Sequence, residues 1–256
     1  MRVRRIHLPC TPAVGDTVTL PAAQAHYVSR VLRLGVGDTL AIFDGTGYES
    51  HLELTTVSGT RVQGQVVFST TDLDATPPLR LILGQGLPHT SAKMDLIVEK
   101  CSELGLTTLV PLFTARTVVR QAPQRLTTKL ARWRRIAAAA ARQCGRRRLL
   151  DIHPPQALAT FYERYATIPG KLLCWEDEPQ LGLRQALNHW PDCDAMAVLV
   201  GPEGGWTAQE VDEARAHGFL TISLGSHILR TETAAITITS LIRYSRGEFD
   251  PQNTPP

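Results

Sequence analysis

The sequence predicts an α/β protein in two parts, a small N-terminal β-barrel followed by a larger domain on a parallel sheet. Residues 1–72 hold short β-type runs separated by turn signals, and residues 79–247 alternate strand and helix patterns. Near the C-terminus, the apolar runs Ala195–Val200 and Thr221–Leu224 each stop in a glycine-containing turn. A run apolar on both faces belongs to a buried strand. Glycine turns at strand ends sit where open α/β sheets bind ligands.

In the first part, Thr17–Leu20, Thr39–Phe43, His51–Leu54 and Arg61–Phe68 read as strands, punctuated by Gly37-Asp38, Gly45-Thr46-Gly47 and Ser58-Gly59. One helix is expected over Ala22–Arg33, and the whole reads as a barrel. Residues 73–78 read as a linker. The second part has strands at Leu79–Leu83, Thr108–Pro111, Leu172–Trp175, Ala195–Val200 and Thr221–Leu224. Helices are expected near 92–104, 125–143, 157–165, 181–188, 207–217 and 233–246. Met94, Ile97, Val98, Cys101 and Leu104 form one helical stripe that Gly105 ends. Thr207 and Glu210 have capping-box spacing. Residues 248–256 read as a flexible, frayed tail.

Composition narrows the class. A chain of 256 residues, 43% hydrophobic and 20% charged, suits one large or two small globular domains. No apolar run approaches the ~20 residues needed to span a bilayer, and the basic N-terminus lacks a signal-peptide apolar stretch. Five scattered cysteines without a C-x-x-C pair suit reduced thiols in the cytoplasm, and argue against a disulfide framework or metal site. A net charge of +3 is mild, but its distribution is not. Lys129, Arg132, Arg134, Arg135, Arg142, Arg146, Arg147 and Arg148 crowd one stretch without an acidic residue between them. Arg132, Arg135 and Arg142 fall within ~80° of a helix face, a pattern suited to phosphate contacts or to a plain solvated face.

The glycine loops are not the common phosphate cradles. Gly201-Pro202-Glu203-Gly204-Gly205-Trp206 lacks the lysine of a P-loop, and Gly84-Gln85-Gly86-Leu87-Pro88-His89 has histidine where a dinucleotide fingerprint needs its third glycine. Read together with Ile228-Leu229-Arg230-Thr231-Glu232-Thr233-Ala234, the first turn resembles the SPOUT class of S-adenosylmethionine-dependent RNA methyltransferases. Within that class the chain is similar to the bacterial family that methylates N3 of a uridine in 16S ribosomal RNA. The resemblance runs through Arg4-Arg5, His26 to Leu34, Phe43-Asp44-Gly45, Lys93 to Gly105, Pro111-Leu112 and Gln143-x-Gly145-Arg146, in the family's order. The chain departs from it at Arg142, where a Glu is usual, and in the acidic, aromatic Cys174-Trp175-Glu176-Asp177-Glu178.

The resemblance implies a PUA-like RNA-binding barrel, a trefoil-knotted α/β domain and a homodimer. It also implies a three-loop site for S-adenosylmethionine, here Leu173 and Trp175; Val200, Gly201, Glu203, Gly204 and Gly205; and Leu224, Gly225, Ile228, Leu229, Thr233 and Ala234. Neutral adenine and ribose suit such a pocket of backbone groups and apolar walls. Ile228 and Leu229 are expected to be core and pocket wall at once, and Trp206 to pack.

Uridine N3–H is a weak acid, so the proton must be removed or the uridinate stabilised. Arg230 offers paired N–H donors to the developing charge. Glu232 is a base or a group that orients Arg230, unless the two form a plain ion pair at a helix start. Glu203 is another base candidate or a balance to the sulfonium charge. RNA contacts are expected from Arg4, Arg5, Arg33, Lys93, Arg116, Arg142 and Arg146, with 16S ribosomal RNA in the small subunit as partner. Rival readings are a SPOUT enzyme acting on tRNA or a ribose 2′-hydroxyl, and a non-catalytic ribosome-assembly protein.

Overall fold

The computed structural model describes residues 3–71, 79–117 and 123–250. The expected linker at 73–78 and residues 251–256 of the expected tail lie outside these. The chain divides into two compact units, and Ala141–Leu149 counts with the N-terminal one.

The first unit is a five-stranded sheet in the order β1-β3-β4-β5-β2, from β1 (Arg4–His7), β2 (Thr17–Thr19), β3 (Thr39–Phe43), β4 (Tyr48–Val57) and β5 (Val62–Thr71). Alternate residues Leu40 and Ile42, Leu52 and Leu54, and Val62 and Val66 enter one core with Ile6, Leu20, Ala25 and Val28. Strand β1, parallel to β3, was not legible in the sequence, because Arg4-Arg5-Ile6-His7 has a single apolar residue. The expected helix is α1 (Ala22–His26) continued by a π-helical turn (Tyr27–Val31), and Arg33 takes φ +55°.

Arg5 is a correction to the expected RNA contacts. Its side chain is 9% exposed and gives two hydrogen bonds to Glu49 Oε2, at 2.8 Å from Nε and 2.5 Å from Nη2. It also donates to the carbonyls of Ala141 and Arg146. A buried guanidinium with these partners holds Ala141–Leu149 in the unit and has little left for phosphate. Arg142 lies over the Tyr27 ring at 4.8 Å, a cation–π contact that a glutamate at this position could not make.

The second unit is a parallel sheet in the order β12-β10-β11-β6-β7-β8, with β9 beside β7. Its strands are β6 (Arg80–Gly86), β7 (Thr108–Phe113), β8 (Asp151–Ile152), β9 (Gln156–Ala157), β10 (Gly170–Cys174), β11 (Ala195–Val200) and β12 (Leu220–Ile222). Period-two alternation sorts β11 cleanly: Met196, Val198 and Val200 join one core, and Ala195, Ala197 and Leu199 the other. The helices are α2 (Ser91–Glu103), α3 (Pro123–Cys144), α4 (Leu158–Arg164), α5 (Leu183–Leu187), α6 (Ala208–Ala216) and α7 (Thr231–Ser245). Residues of α2, α3, α5 and α7 join the first core, and residues of α4 and α6 the second. Thr207 and Glu210 form the expected capping box.

One buried cation closes the far end of α7. Arg243, 1% exposed, donates from Nη1 to Glu248 and from Nη2 to the carbonyl of Gly105, both at 2.5 Å. Arg243→Met is expected to cost about 3 kcal/mol in urea denaturation, because it strands those acceptors. A loss under about 0.5 kcal/mol would contradict this account of the contact.

Candidate active site

The C-terminal ends of β10, β11 and β12 open onto a cavity of about 340 Å³. Three segments build it: Cys174 to Glu176, Val200 to Gly205, and Ser223 to Arg230. Thr231 and Ala234 of α7 and Lys93 of α2 complete the lining. The size falls within the ~300–1,000 Å³ usual for small-molecule sites.

Each segment has a local reason for its path. Gly205 has φ +68°, a backbone conformation that favours glycine, and a Cβ there would also displace the Glu176 carboxylate. Trp206 is buried and donates from Nε1 to the carbonyl of Cys174 at 3.1 Å, tying the turn after β11 to the end of β10. It packs, as expected. On the other side, Gln85 Nε2 donates to Thr231 Oγ1 at 2.9 Å, and Thr231 Oγ1 donates to the carbonyl of Gly201 at 2.5 Å. That chain of bonds joins the end of β6, the glycine turn and the start of α7.

The loop before α7 is open. No hydrogen bond ties Ser226–Leu229 to another described residue, and Ile228 is 84% exposed. Ile228 is therefore pocket wall without being core, while Leu229 packs on the core as expected. A run of free backbone donors and acceptors beside Val200, Leu224, Ile228 and Ala234 suits a ligand with polar edges and an apolar face.

Ten expected cofactor residues meet at the cavity: Trp175, Val200, Gly201, Glu203, Gly205, Leu224, Gly225, Ile228, Leu229 and Ala234. Leu173, Gly204 and Thr233 do not line it. Leu173 pairs with Leu199 and points into the opposite core, whereas Cys174 pairs with Val200 on the cavity side. Strand alternation, applied from Val200 across to its neighbour, would have selected Cys174. Burial pushes the Cys174 thiol up to about 12, so it stays protonated and is no nucleophile. Gly204 is exposed under Arg116, whose Nη1 donates to its carbonyl at 2.5 Å. Helix α7 starts two residues earlier than expected, which turns Thr233 outward. Glu176, Ser223, Ser226 and His227 were not selected from sequence; they carry no motif and line the cavity only because of the loop path.

Arg230 is exposed at the cavity, directly before α7, and its guanidinium has no hydrogen bond or ion pair with a described residue. It does not pair with Glu232. Instead Glu232 Oε2 lies 3.6 Å from Lys93 Nζ, which also reaches Glu203 Oε1 at 2.9 Å. Glu203 accepts the backbone N–H of His89 as well. Burial opposes the charge of Glu203, but the hydrogen bonds from Lys93 and His89 outweigh it and hold the carboxyl below its usual value. Lys93 is raised in turn, chiefly by its bond to Glu203. Among the other basic candidates, Arg4, Arg33 and Arg116 are exposed, and the Arg146 carbonyl is taken by Arg5.

A parallel sheet with a glycine-turn cavity at its strand ends, preceded by a small β unit, defines the class. Residues 75–243 match the RNA methyltransferase domain family, and residues 20–67 match the RNA methyltransferase PUA domain family. The chain belongs to the RNA methyltransferases of the ribosomal RNA small subunit methyltransferase E family. It is 38% identical to that enzyme from Synechocystis sp., over 85% of this chain and 70% of the relative. It is 30% identical to the enzyme of the same name from Bacillus subtilis, over 89% of this chain and 90% of the relative. A crystal structure of ribosomal RNA small subunit methyltransferase E from Neisseria gonorrhoeae, bound to S-adenosyl methionine, superposes with a TM-score of 0.83. That structure is 30% identical, over 95% of this chain and 98% of the other.

Proposed function

We propose that this protein uses S-adenosylmethionine to methylate N3 of a uridine in 16S ribosomal RNA of the small subunit, as a cytoplasmic homodimer. The observation that carries the reading is the cavity itself, with free backbone groups at Ser226–Leu229 and an unpaired guanidinium at its mouth. The likeness to ribosomal RNA small subunit methyltransferases, and the S-adenosyl methionine bound in the Neisseria structure, support it. No helix among the described residues is long and apolar enough to cross a membrane. The outer side of α7, where Leu241 and Tyr244 are 42% and 68% exposed beside Leu187 and Trp190, supports the dimer. The contacts of Thr231 with Gly201 and Gln85, far from the sheet edge at β12, support a knotted path into α7.

In this reading the glycine turn, Trp175, Leu224, Gly225 and Leu229 hold adenine and ribose through backbone groups and apolar contacts. The bound cofactor supplies a methyl group on a sulfonium, a leaving group that departs as a neutral thioether. Arg230 donates to O2 or O4 of the uracil ring and stabilises the negative charge that develops as N3 gives up its proton. Glu232 receives that proton or passes it to solvent. One proton is released for each methyl transferred, so charge balances. Arg4 and Arg33 in the first unit, with Arg116, Arg142 and Arg146, contribute phosphate contacts.

The deciding experiment is nucleoside mass spectrometry of small-subunit RNA from cells lacking the protein. Loss of 3-methyluridine, restored by the wild-type copy, is the expected result. Unchanged 3-methyluridine, with a methyl missing from tRNA or from a ribose 2′-oxygen, would replace the substrate assignment.

A further inference from the structure

We propose that Lys93 serves the reaction and not the RNA: it is a positioning residue that holds the Glu203 and Glu232 carboxylates in place at the cavity. The proposal rests on the reading of Glu232 as a group that handles the N3 proton.

Three elements meet at Lys93. It lies in the first turn of α2, Glu203 in the turn after β11, and Glu232 in the first turn of α7. The Nζ stands 2.9 Å from Glu203 and 3.6 Å from Glu232, with side-chain exposures of 27%, 32% and 13% in that order. Glu232 Oε2 is buried and accepts no hydrogen bond. A carboxylate oxygen shut from water needs a cation or donor beside it, and among the described residues Lys93 is the cation with which Glu232 forms an ion pair. Arg230, two residues away in sequence, makes no pair with it.

The position of Lys93 on α2 points the same way. Thr90 is the N-cap, so Lys93 occupies N3, where a glutamate would complete a capping box. The helix has no acidic residue in its first turn, and Thr90 makes no side-chain cap bond. A cation there opposes the helix dipole. Local helix stability therefore does not explain this lysine, whereas two carboxylates from two other elements do. Glu203 also accepts the N–H of His89 in the loop leading to α2, so the cluster fixes that loop against the glycine turn.

The two roles separate in one experiment, using small ribosomal subunits from cells lacking the protein as substrate. For Lys93→Met we expect turnover about 10- to 100-fold lower, with the KM for subunits within about twofold. The salt dependence of RNA affinity should not change, and the double variant Lys93→Met/Glu203→Gln should be slower by less than the product of the single losses. A salt slope reduced by about one at undiminished turnover is the signature of a phosphate contact, and would overturn the proposal. Multiplicative losses in the double variant would overturn it too. If Lys93→Met does not fold, Lys93→Arg decides. An arginine keeps or improves a phosphate contact, but its planar fork does not replace a compact ammonium between two carboxylates, so turnover falls while RNA affinity holds. Full turnover of Lys93→Arg would sink the idea. RNA affinity and its salt slope are read without methyl transfer: if the wild-type enzyme is inactive on these subunits, the substrate assignment is refuted, and a salt slope reduced by about one in Lys93→Met then overturns the proposal by itself, while an unchanged slope supports it.

Discussion

Arg230→Ala is expected to lower methyl transfer about 10²- to 10³-fold while leaving the fold intact. The two halves of that expectation have separate origins. Arg230 is exposed and its guanidinium has no bonded partner among the described residues, so stability should stay within about 0.5 kcal/mol. Its chemical part is large because a planar guanidinium presents parallel donors to charge that exists only as N3 is deprotonated. Arg230→Lys, a point charge without the fork, should recover only part of the rate. Affinity for S-adenosylhomocysteine, measured by calorimetry, should hold within a few-fold in both variants. A loss of that affinity as large as the loss of turnover would assign Arg230 to cofactor binding instead.

Gly86→Ala is expected to disable the site from behind. Gly86 ends β6, and a Cβ there would stand 2.5 Å from Pro202 Cδ, 2.6 Å from Pro202 N and 3.0 Å from the carbonyl carbon of Gly201. Two of those atoms are backbone, so no rotamer change relieves the clash and the turn must move. Overpacking of this kind costs typically about 1–3 kcal/mol. The displaced Gly201 carbonyl also loses its bonds from Thr231 and Gln85, so both the cavity wall and the start of α7 shift. Affinity for S-adenosylhomocysteine should fall at least about tenfold, since a displacement costing about 1.4 kcal/mol already does that. Gly35→Ala is the control: its Cβ would meet nothing closer than 3.9 Å, so stability and affinity should barely change. Equal behaviour of the two variants would remove the close approach from the account of the site.

The architecture was legible where periodicity was strong. The two-sided run at Ala195–Val200, four of the five residues of the α2 stripe and the Thr207–Glu210 cap follow from local rules that the tertiary structure did not override, whereas Leu104 falls at the C-cap, outside the core. The short strands β1, β8 and β9 were not legible, because two to four residues give alternation nothing to repeat over. The three cavity segments could be read from glycine turns after buried strands. The choice among their residues failed where it depended on which face a side chain takes, as with Leu173 and Cys174, or on the true start of α7, as with Thr233. Charge was the least legible property. Arg5 and Lys93 look like any basic surface residue in a string of letters, and only the fold brings Glu49 to the first and Glu203 with Glu232 to the second.

The membership of Ala141–Leu149 in the N-terminal unit bears on how the protein can be divided. A fragment beginning at residue 79 would keep α3 but lose the N-terminal partners of its last turn and of the following segment. The Ala141 and Arg146 carbonyls would be left without Arg5, the Tyr27 ring would be gone from under Arg142, and Leu149 N–H would have no Gly45 carbonyl. The reverse fragment, ending at residue 71, would expose Gly45 and the Arg5–Glu49 pair. Neither piece is a self-sufficient module. Swapping the N-terminal unit between relatives therefore requires carrying two separate stretches of chain together, and a recombination point placed only between residues 71 and 79 should yield poorly folded hybrids.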